Sequence, residues 1–189
     1  MDPETDFEST LLAARAGAEW AWRDLYRRFS PHVLRYLYAR KAPDPEDLTA
    51  EVFLLVVSRL HQFEGGDGAF RAWVVTIAHR RYIDEIRSRN RRPVDPTDDD
   101  TLVLAGAEGD VEHDALRNVE AGDLRKAIAE LPDSQKDVLF LRLIAGFSIA
   151  EVATATGRTP GAVKSLQMRA IWALRKTIGG ETSSGEAVS

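Results

Sequence analysis

Apolar residues recur at three- and four-residue spacing along most of this chain, which is the signature of amphipathic helices. Phe7–Ala16 predicts a short helix with Phe7, Leu11 and Leu12 inward, broken at Gly17. Trp20–Phe29 continues with Trp22, Leu25, Tyr26 and Phe29 on one face. Ser30–Pro31 is a cap-plus-proline signal, so a new helix or a bend is expected there, with Val33, Leu34, Leu37 and Tyr38 inward up to Arg40. Asp44 is the predicted N-cap and Pro45 the first residue of a helix to about Leu60, through Leu48, Val52, Phe53, Leu55 and Val56. Phe63–Gly68 (FEGGDG) predicts a flexible loop, and Ala69–Arg89 a long helix carrying Phe70, Trp73, Val74, Ile77, Ala78, Tyr82 and Ile86.

Periodicity stops between Pro93 and Val111 and resumes with a helix over Leu116–Leu131, ended by Pro132. Asp133 or Ser134 is expected to cap a helix over Gln135–Ala145, with Val138, Leu139, Leu141 and Leu143 largely buried and Gly146 ending it. The following stretch, Ser148–Lys176, has the grammar of a helix-turn-helix. Ser148 and Glu151 have the spacing of a capping box, Gly157 supplies a left-handed stop, and Thr159–Pro160 restarts the chain. Val163, Leu166, Ala170, Ile171 and Leu174 form the expected inward stripe of the second helix. Its polar side carries Lys164, Ser165, Gln167, Arg169 and Lys176, and Arg158–Lys176 contains no Asp or Glu. An ordinary solvated helix mixes both signs, so this face suits a polyanion.

Composition narrows the choice. The chain has 189 residues, 44% of them hydrophobic, no cysteine, and few of the alternating patterns that mark strands. The expectation is an all-α protein of two small helical domains, without disulfides or thiolate metal sites. No apolar run approaches a membrane span, and the acidic start is unlike a signal peptide, so a cytoplasmic protein is expected. The net charge of −5 conceals a segregation of signs. Arg80, Arg81, Arg87, Arg89, Arg91 and Arg92 cluster at the end of one helix, whereas Asp95–Asp114 is strongly acidic. The domains read as 5–92 and 116–178, joined by a flexible acidic linker at 93–115 and followed by a disordered tail at 179–189.

Three stretches in this order carry a family resemblance: Asp44–Phe53 (DPEDLTAEVF), Phe70–Arg92 (FRAWVVTIAHRRYIDEIRSRNRR) and Leu131–Arg175. Together they resemble the bacterial extracytoplasmic-function (group 4) sigma factors of the sigma-70 family, which consist of a region-2 bundle, a linker and a region-4 helix-turn-helix. The resemblance implies that Asp47 and Glu51 dock on core RNA polymerase, at the β′ clamp helices. It implies −10 promoter contacts for Trp73, Arg80, Arg81, Asp84, Arg87 and Arg91, although Trp73 at helical spacing also fits a core position. It implies −35 contacts for Arg158, Lys164, Ser165, Gln167 and Arg169. Promoter DNA, the polymerase β flap and an anti-sigma factor are the further partners it brings, and it brings no cofactor. The acidic linker fits either a nucleic-acid mimic within the polymerase or a self-repelling spacer.

Three other classes compete with this one, and of these a pure protein-interaction adaptor is permitted by the apolar helix faces but does not call for the carboxylate-free recognition helix. A stand-alone helix-turn-helix regulator would explain the C-terminal motif but not Asp44–Phe53 or the arginine-rich helix. An enzyme finds no support in the motifs: His32, His61, His79 and His113 are scattered, and neither a phosphate loop nor a nucleophile elbow is present.

Overall fold

The computed structural model describes residues 6–91 and 124–181, with side chains in the last helix described to Thr177. The expected acidic linker lies outside these residues, as do the first five positions and the tail beyond Glu181. The described residues are helical and irregular, with no strand among them, and the chain divides into two compact units on either side of Val103/Leu104. Each unit is taken by itself.

The first unit contains α1 (Phe7–Arg15), α2 (Glu19–Ala39), α3 (Pro45–Arg59), a 3-10 turn (Leu60–Gln62) and α4 (Asp67–Arg91). Helix α4 is central: Phe70, Val74, Val75 and Ala78 are fully buried against Leu25, Val33, Tyr36 and Leu37 of α2 and Val52 and Val56 of α3. An aromatic cluster closes one end. The Phe70 ring lies 5.4 Å from Phe7, 4.7 Å from Phe29, 5.1 Å from Phe63 and 5.6 Å from Trp73.

Four expectations are corrected in this unit. Helix α2 runs unbroken through Pro31. Pro31 has no N–H for the Arg27 carbonyl, but it faces solvent, where water can meet that carbonyl, while Phe29, Ser30 and Val33 on its inner side are buried and hold the helix through the site. Leu12, Tyr26 and Tyr38, expected inward, are exposed; Tyr38 donates instead to Glu46, and the Tyr26 ring packs tilted against Phe53 with centroids 4.7 Å apart. Asp44 stands at the N-cap of α3 but makes no side-chain cap, because its backbone is left-handed (φ 48°) and its carboxylate turns to Arg89 at 3.3 Å. The expected flexible loop Phe63–Gly68 is largely anchored. Phe63 is buried against Phe70 and Trp73, its carbonyl accepts from Arg15, and Asp67 and Gly68 already belong to α4, where Asp67 pairs with Arg28 at 2.7 Å. Gly65 is required at the exposed tip: its φ is 136°, and a Cβ there would meet the Ala69 Cβ at 2.9 Å.

The second unit contains a helical stretch at residues 124–130 (α5), then α6 (Asp133–Leu143), α7 (Ile149–Thr156) and α8 (Pro160–Glu181). Leu131, Leu139 and Ala170 form a core against which Ile128, Ala173 and Leu174 pack. Val138, Leu141, Phe147, Val152 and Val163 are fully or almost fully buried around it. Helix α6 starts at Asp133 without a side-chain cap; the Pro132 carbonyl instead receives Gln135 N at 2.8 Å and Lys136 N at 3.0 Å. Leu143, expected inside, is exposed because α6 ends there and the chain turns at Ile144. Ile171 is likewise exposed, lying off the line of Val163, Ala170 and Leu174. Helix α8 runs past Ile178 through Gly179 and Gly180, so the expected tail begins as helix; glycine raises the cost of a helical position by about 1 kcal/mol without removing its hydrogen bonds.

The capping box forms as its spacing predicts. Ser148 N donates to Glu151 Oε2 at 2.6 Å, and Glu151 N donates to Ser148 Oγ at 3.2 Å. It satisfies two N–H groups left over at the start of α7. Ser148→Ala is expected to cost about 1 kcal/mol, read as a lower unfolding midpoint by circular dichroism with the same far-ultraviolet spectrum at 20 °C; an unchanged midpoint would remove the cap from the forces that fix this turn.

Candidate polymerase and nucleic-acid interfaces

Helix α3 presents a mixed face. Asp47 and Glu51 are exposed one turn apart, and Leu54 and Val57 extend the same side, 70% and 50% exposed. Leu48 and Phe53 point into the core. The carboxylates were legible in the sequence. The apolar extension was not, because Leu54 and Val57 read equally well as a core stripe until the packing of Val52 and Val56 fixes which side is inside. Asp47 makes no ion pair among the described residues, whereas Glu51 accepts from Arg81 Nε at 2.6 Å.

Helix α4 separates its cations into two stripes. Trp73, Arg80, Asp84, Arg87 and Arg91 fall at i, i+7, i+11, i+14 and i+18, hence on one side of the helix. Arg80, Asp84, Arg87 and Arg91 are exposed. Trp73 is half-buried, one side against Phe63 with ring centroids 5.1 Å apart, so it serves the core and keeps part of its surface open. Arg81, Glu85 and Arg89 form the other stripe, bound to carboxylates. Arg81 reaches Glu51 and, at 3.6 Å, Glu85; Arg89 reaches Glu85 at 3.0 Å and Asp44 at 3.3 Å. The hydrogen bond to Glu51 raises the Arg81 pKa above its ordinary value, against a smaller opposing effect of desolvation. The structure therefore takes Arg81 off the open stripe and joins it to the Asp47–Glu51 face of α3. The Arg81–Glu85–Arg89 half of this ladder was legible as alternating sign at i, i+4, i+8. Its links to Asp44 and Glu51 depend on how α3 packs on α4.

Below these surfaces lies a buried polar pair. Tyr36 Oη of α2 and His79 Nδ1 of α4 are 2.8 Å apart, and both residues are buried. Burial foremost, then the positive charges of Arg40 and Arg80, lower the His79 pKa from 6.5 to about 4. The imidazole is therefore neutral near pH 7.

In the second unit α7 and α8 meet through a left-handed Gly157 (φ 66°), and Thr159 Oγ1 caps α8 by accepting from Ala162 N at 3.2 Å. Lys164, Ser165 and Arg169 are exposed on one face of α8 and Gln167 is half-buried at its edge. Arg158 is exposed in the turn itself, its N–H bonded to the Ala153 carbonyl at 3.0 Å. Two large side chains that the sequence reading did not place share this face: Met168 and Trp172, 73% and 66% exposed, with the Lys176 ammonium 5.6 Å from the Trp172 ring centroid. No acidic residue interrupts the surface between Arg158 and Lys176. No cluster of His, Asp or Glu among the described residues has a metal-binding arrangement, and none of the described helices is long and apolar enough to cross a membrane.

Comparison with known proteins agrees with this layout. Residues 25–92 match the family model for sigma-70 region 2, and residues 121–174 that for sigma-70 region 4. The chain is 34% identical over 183 residues to the ECF RNA polymerase sigma factor BldN of Streptomyces coelicolor, covering 93% of this chain and 69% of that one. It is 32% identical over 191 residues to the ECF RNA polymerase sigma factor ShbA of Streptomyces griseus, covering 90% and 96%. Its fold is similar to that of the sigma factor RpoE crystallised with the anti-sigma factor NepR from Bartonella quintana (TM-score 0.64, 22% identity, 83% of this chain and 96% of that one). Both sigma-70 regions are present in order, and relatives above 30% identity span nearly the whole sequence: the chain belongs to the extracytoplasmic-function family of RNA polymerase sigma factors.

Proposed function

We propose that this sigma factor divides promoter recognition between its two units, with polymerase docking on α3 of the first. As a sigma factor it binds core RNA polymerase and directs transcription initiation at a specific set of promoters. In this reading the functional domains are 5–92 and 116–178. Asp47, Glu51 and the neighbouring Leu54 meet a basic and apolar surface of the β′ clamp helices. Trp73, Arg80, Asp84, Arg87 and Arg91 face the opened −10 element, where cations follow single-strand phosphates and an aromatic ring can support an unstacked base. Lys164, Ser165, Gln167 and Arg169 enter the major groove at −35, and Arg158 holds a phosphate. The β flap and an anti-sigma factor are further partners in the same reading. The chain works in the cytoplasm as a non-enzymatic subunit and uses no cofactor of its own.

The observation that carries the proposal is the pairing, within the first unit, of an acidic–apolar face on α3 with an exposed arginine stripe on α4. A helix-turn-helix regulator needs neither. The test is run-off transcription with purified bacterial core polymerase on promoter fragments from the protein's own source. Asp47→Arg is expected to reduce transcript at limiting protein and to be overcome at higher concentration. Arg169→Ala is expected to cost about 1–3 kcal/mol of promoter discrimination, seen as a rightward shift of the titration that a duplex lacking the −35 element does not show. Tight binding of promoter duplex by the protein alone, with no transcript on adding polymerase, would favour the stand-alone regulator and end this reading.

A further inference from the structure

The family resemblance assigns Glu51 and Arg81 to two different interfaces, yet they hold each other. Their 2.6 Å contact joins α3 to α4, with Glu51 about half exposed and Arg81 less so. Glu85 approaches the same guanidinium at 3.6 Å. Asp47, one turn before Glu51 on the same helix, is exposed and makes no ion pair among the described residues. The docking face thus contains one carboxylate that is open and one that is engaged by a cation of the −10 helix.

We propose that Glu51 restrains Arg81 in the free protein and releases it to DNA when α3 docks on polymerase. The inference rests on the interface reading given above. A basic side chain of the docking partner competes with Arg81 for Glu51. Once Glu51 is drawn to that partner, the Arg81 guanidinium can swing to the adjacent Arg80–Arg87 stripe and meet a phosphate. An arginine side chain is long enough and has enough free rotamers to make that move without a change in the helix. The result is positive coupling: polymerase binding raises affinity for the opened strand, and the opened strand raises affinity for polymerase by the same factor. Glu51 is the positioning residue, acting through Arg81, whose guanidinium makes the contact.

The coupling is read on the full chain without polymerase, by fluorescence anisotropy of a labelled single-stranded oligonucleotide. Glu51→Gln is expected to tighten binding about threefold or more, because it frees Arg81. Glu51→Gln/Arg81→Gln should lose that gain, and Arg81→Gln alone should change little, since Arg81 is already engaged. Asp47→Asn controls for net charge: it removes the same charge one turn away and should leave affinity within about twofold. If Asp47→Asn tightens binding as much as Glu51→Gln, or if Glu51→Gln and the double variant bind alike, the coupling is wrong. Run-off transcription by the wild type separates the two levels. A wild type that transcribes, with no difference in single-strand affinity among these variants, overturns only the coupling. A protein that binds neither polymerase nor single strands overturns the interface reading as well.

Discussion

Phe70→Ala is expected to destabilise the first unit by about 3–5 kcal/mol, enough to leave a domain of ordinary stability partly unfolded at 37 °C. Phe70 is fully buried and its ring touches four others, from α1, α2, the segment before α4, and α4 itself. No small shift of one helix can refill the space, because the neighbours come from separate elements. The cost should therefore approach the upper part of the range for buried Phe truncation. Phe70→Leu keeps most of the volume and should cost less than half as much.

Urea unfolding followed by tryptophan fluorescence suits this test. Trp20, Trp22 and Trp73 lie in the first unit and Trp172 in the second, so the signal reports mainly the unit that carries the mutation. A loss below about 1 kcal/mol would mean that the aromatic cluster does not organise this end of the bundle. The same substitution also reaches function. Phe63 packs edge-on against Phe70 and stacks with Trp73, so the segment Glu64–Gly66 is held in place by that cluster. The family resemblance implies that a flipped non-template base is captured at Phe63–Gly68, so transcription by Phe70→Ala is expected to fall even at temperatures where the unit remains folded, and most on promoters that are hard to open.

Helix positions, the capping box, the Gly157 turn and the motif order were legible because each depends on residues within one or two turns of each other. The errors arose where distant parts decide. Pro31 predicts a helix break or bend locally, but the buried residues on either side of it keep α2 helical through the site. Phe63 looks like a loop residue beside two glycines, yet it is part of the core because Phe70 and Trp73 are waiting for it. The arginine-rich end of α4 reads as one basic surface. Packing divides it, because Asp44 and Glu51 of α3 reach Arg89 and Arg81 and leave Arg80, Arg87 and Arg91 on the other side. Likewise, the polar face of α8 was legible from its missing carboxylates, whereas the exposure of Met168 and Trp172 depends on how deeply Val163 and Ala170 are drawn into the second core. Local chemistry names the candidate residues. Tertiary contacts decide which of them are available.

The buried Tyr36–His79 pair gives the first unit a dependence on pH whose sign follows from the shift. In the unfolded chain His79 titrates near 6.5, and in the folded unit near 4, because burial and the charges of Arg40 and Arg80 disfavour the imidazolium. Above pH 6.5 both states are neutral at this position and stability is at its full value. Between 6.5 and 4 the unfolded state binds a proton that the folded state does not, so stability falls as pH falls; below about 4 both bind it and the loss levels off. The contribution is about 2 kcal/mol at pH 5 and levels off somewhat above ~3 kcal/mol at the plateau. The lowered pKa of His32, due first to burial, acts in the same direction. Carboxylates also titrate over the lower part of this range, so a comparison is needed. His79→Phe fills a similar volume, removes the imidazole that meets the Tyr36 hydroxyl and cannot titrate. It should be less stable than the wild type at pH 7.5, and the gap should narrow by about 2 kcal/mol by pH 5, measured as urea unfolding free energies at each pH. Parallel pH profiles for the two proteins would mean that His79 takes up its proton over the same pH range folded and unfolded, and so is charged in the folded unit by pH 5. The polar link between α2 and α4 would then be a charged one, and the neutral core beneath Arg80 would have to be redrawn.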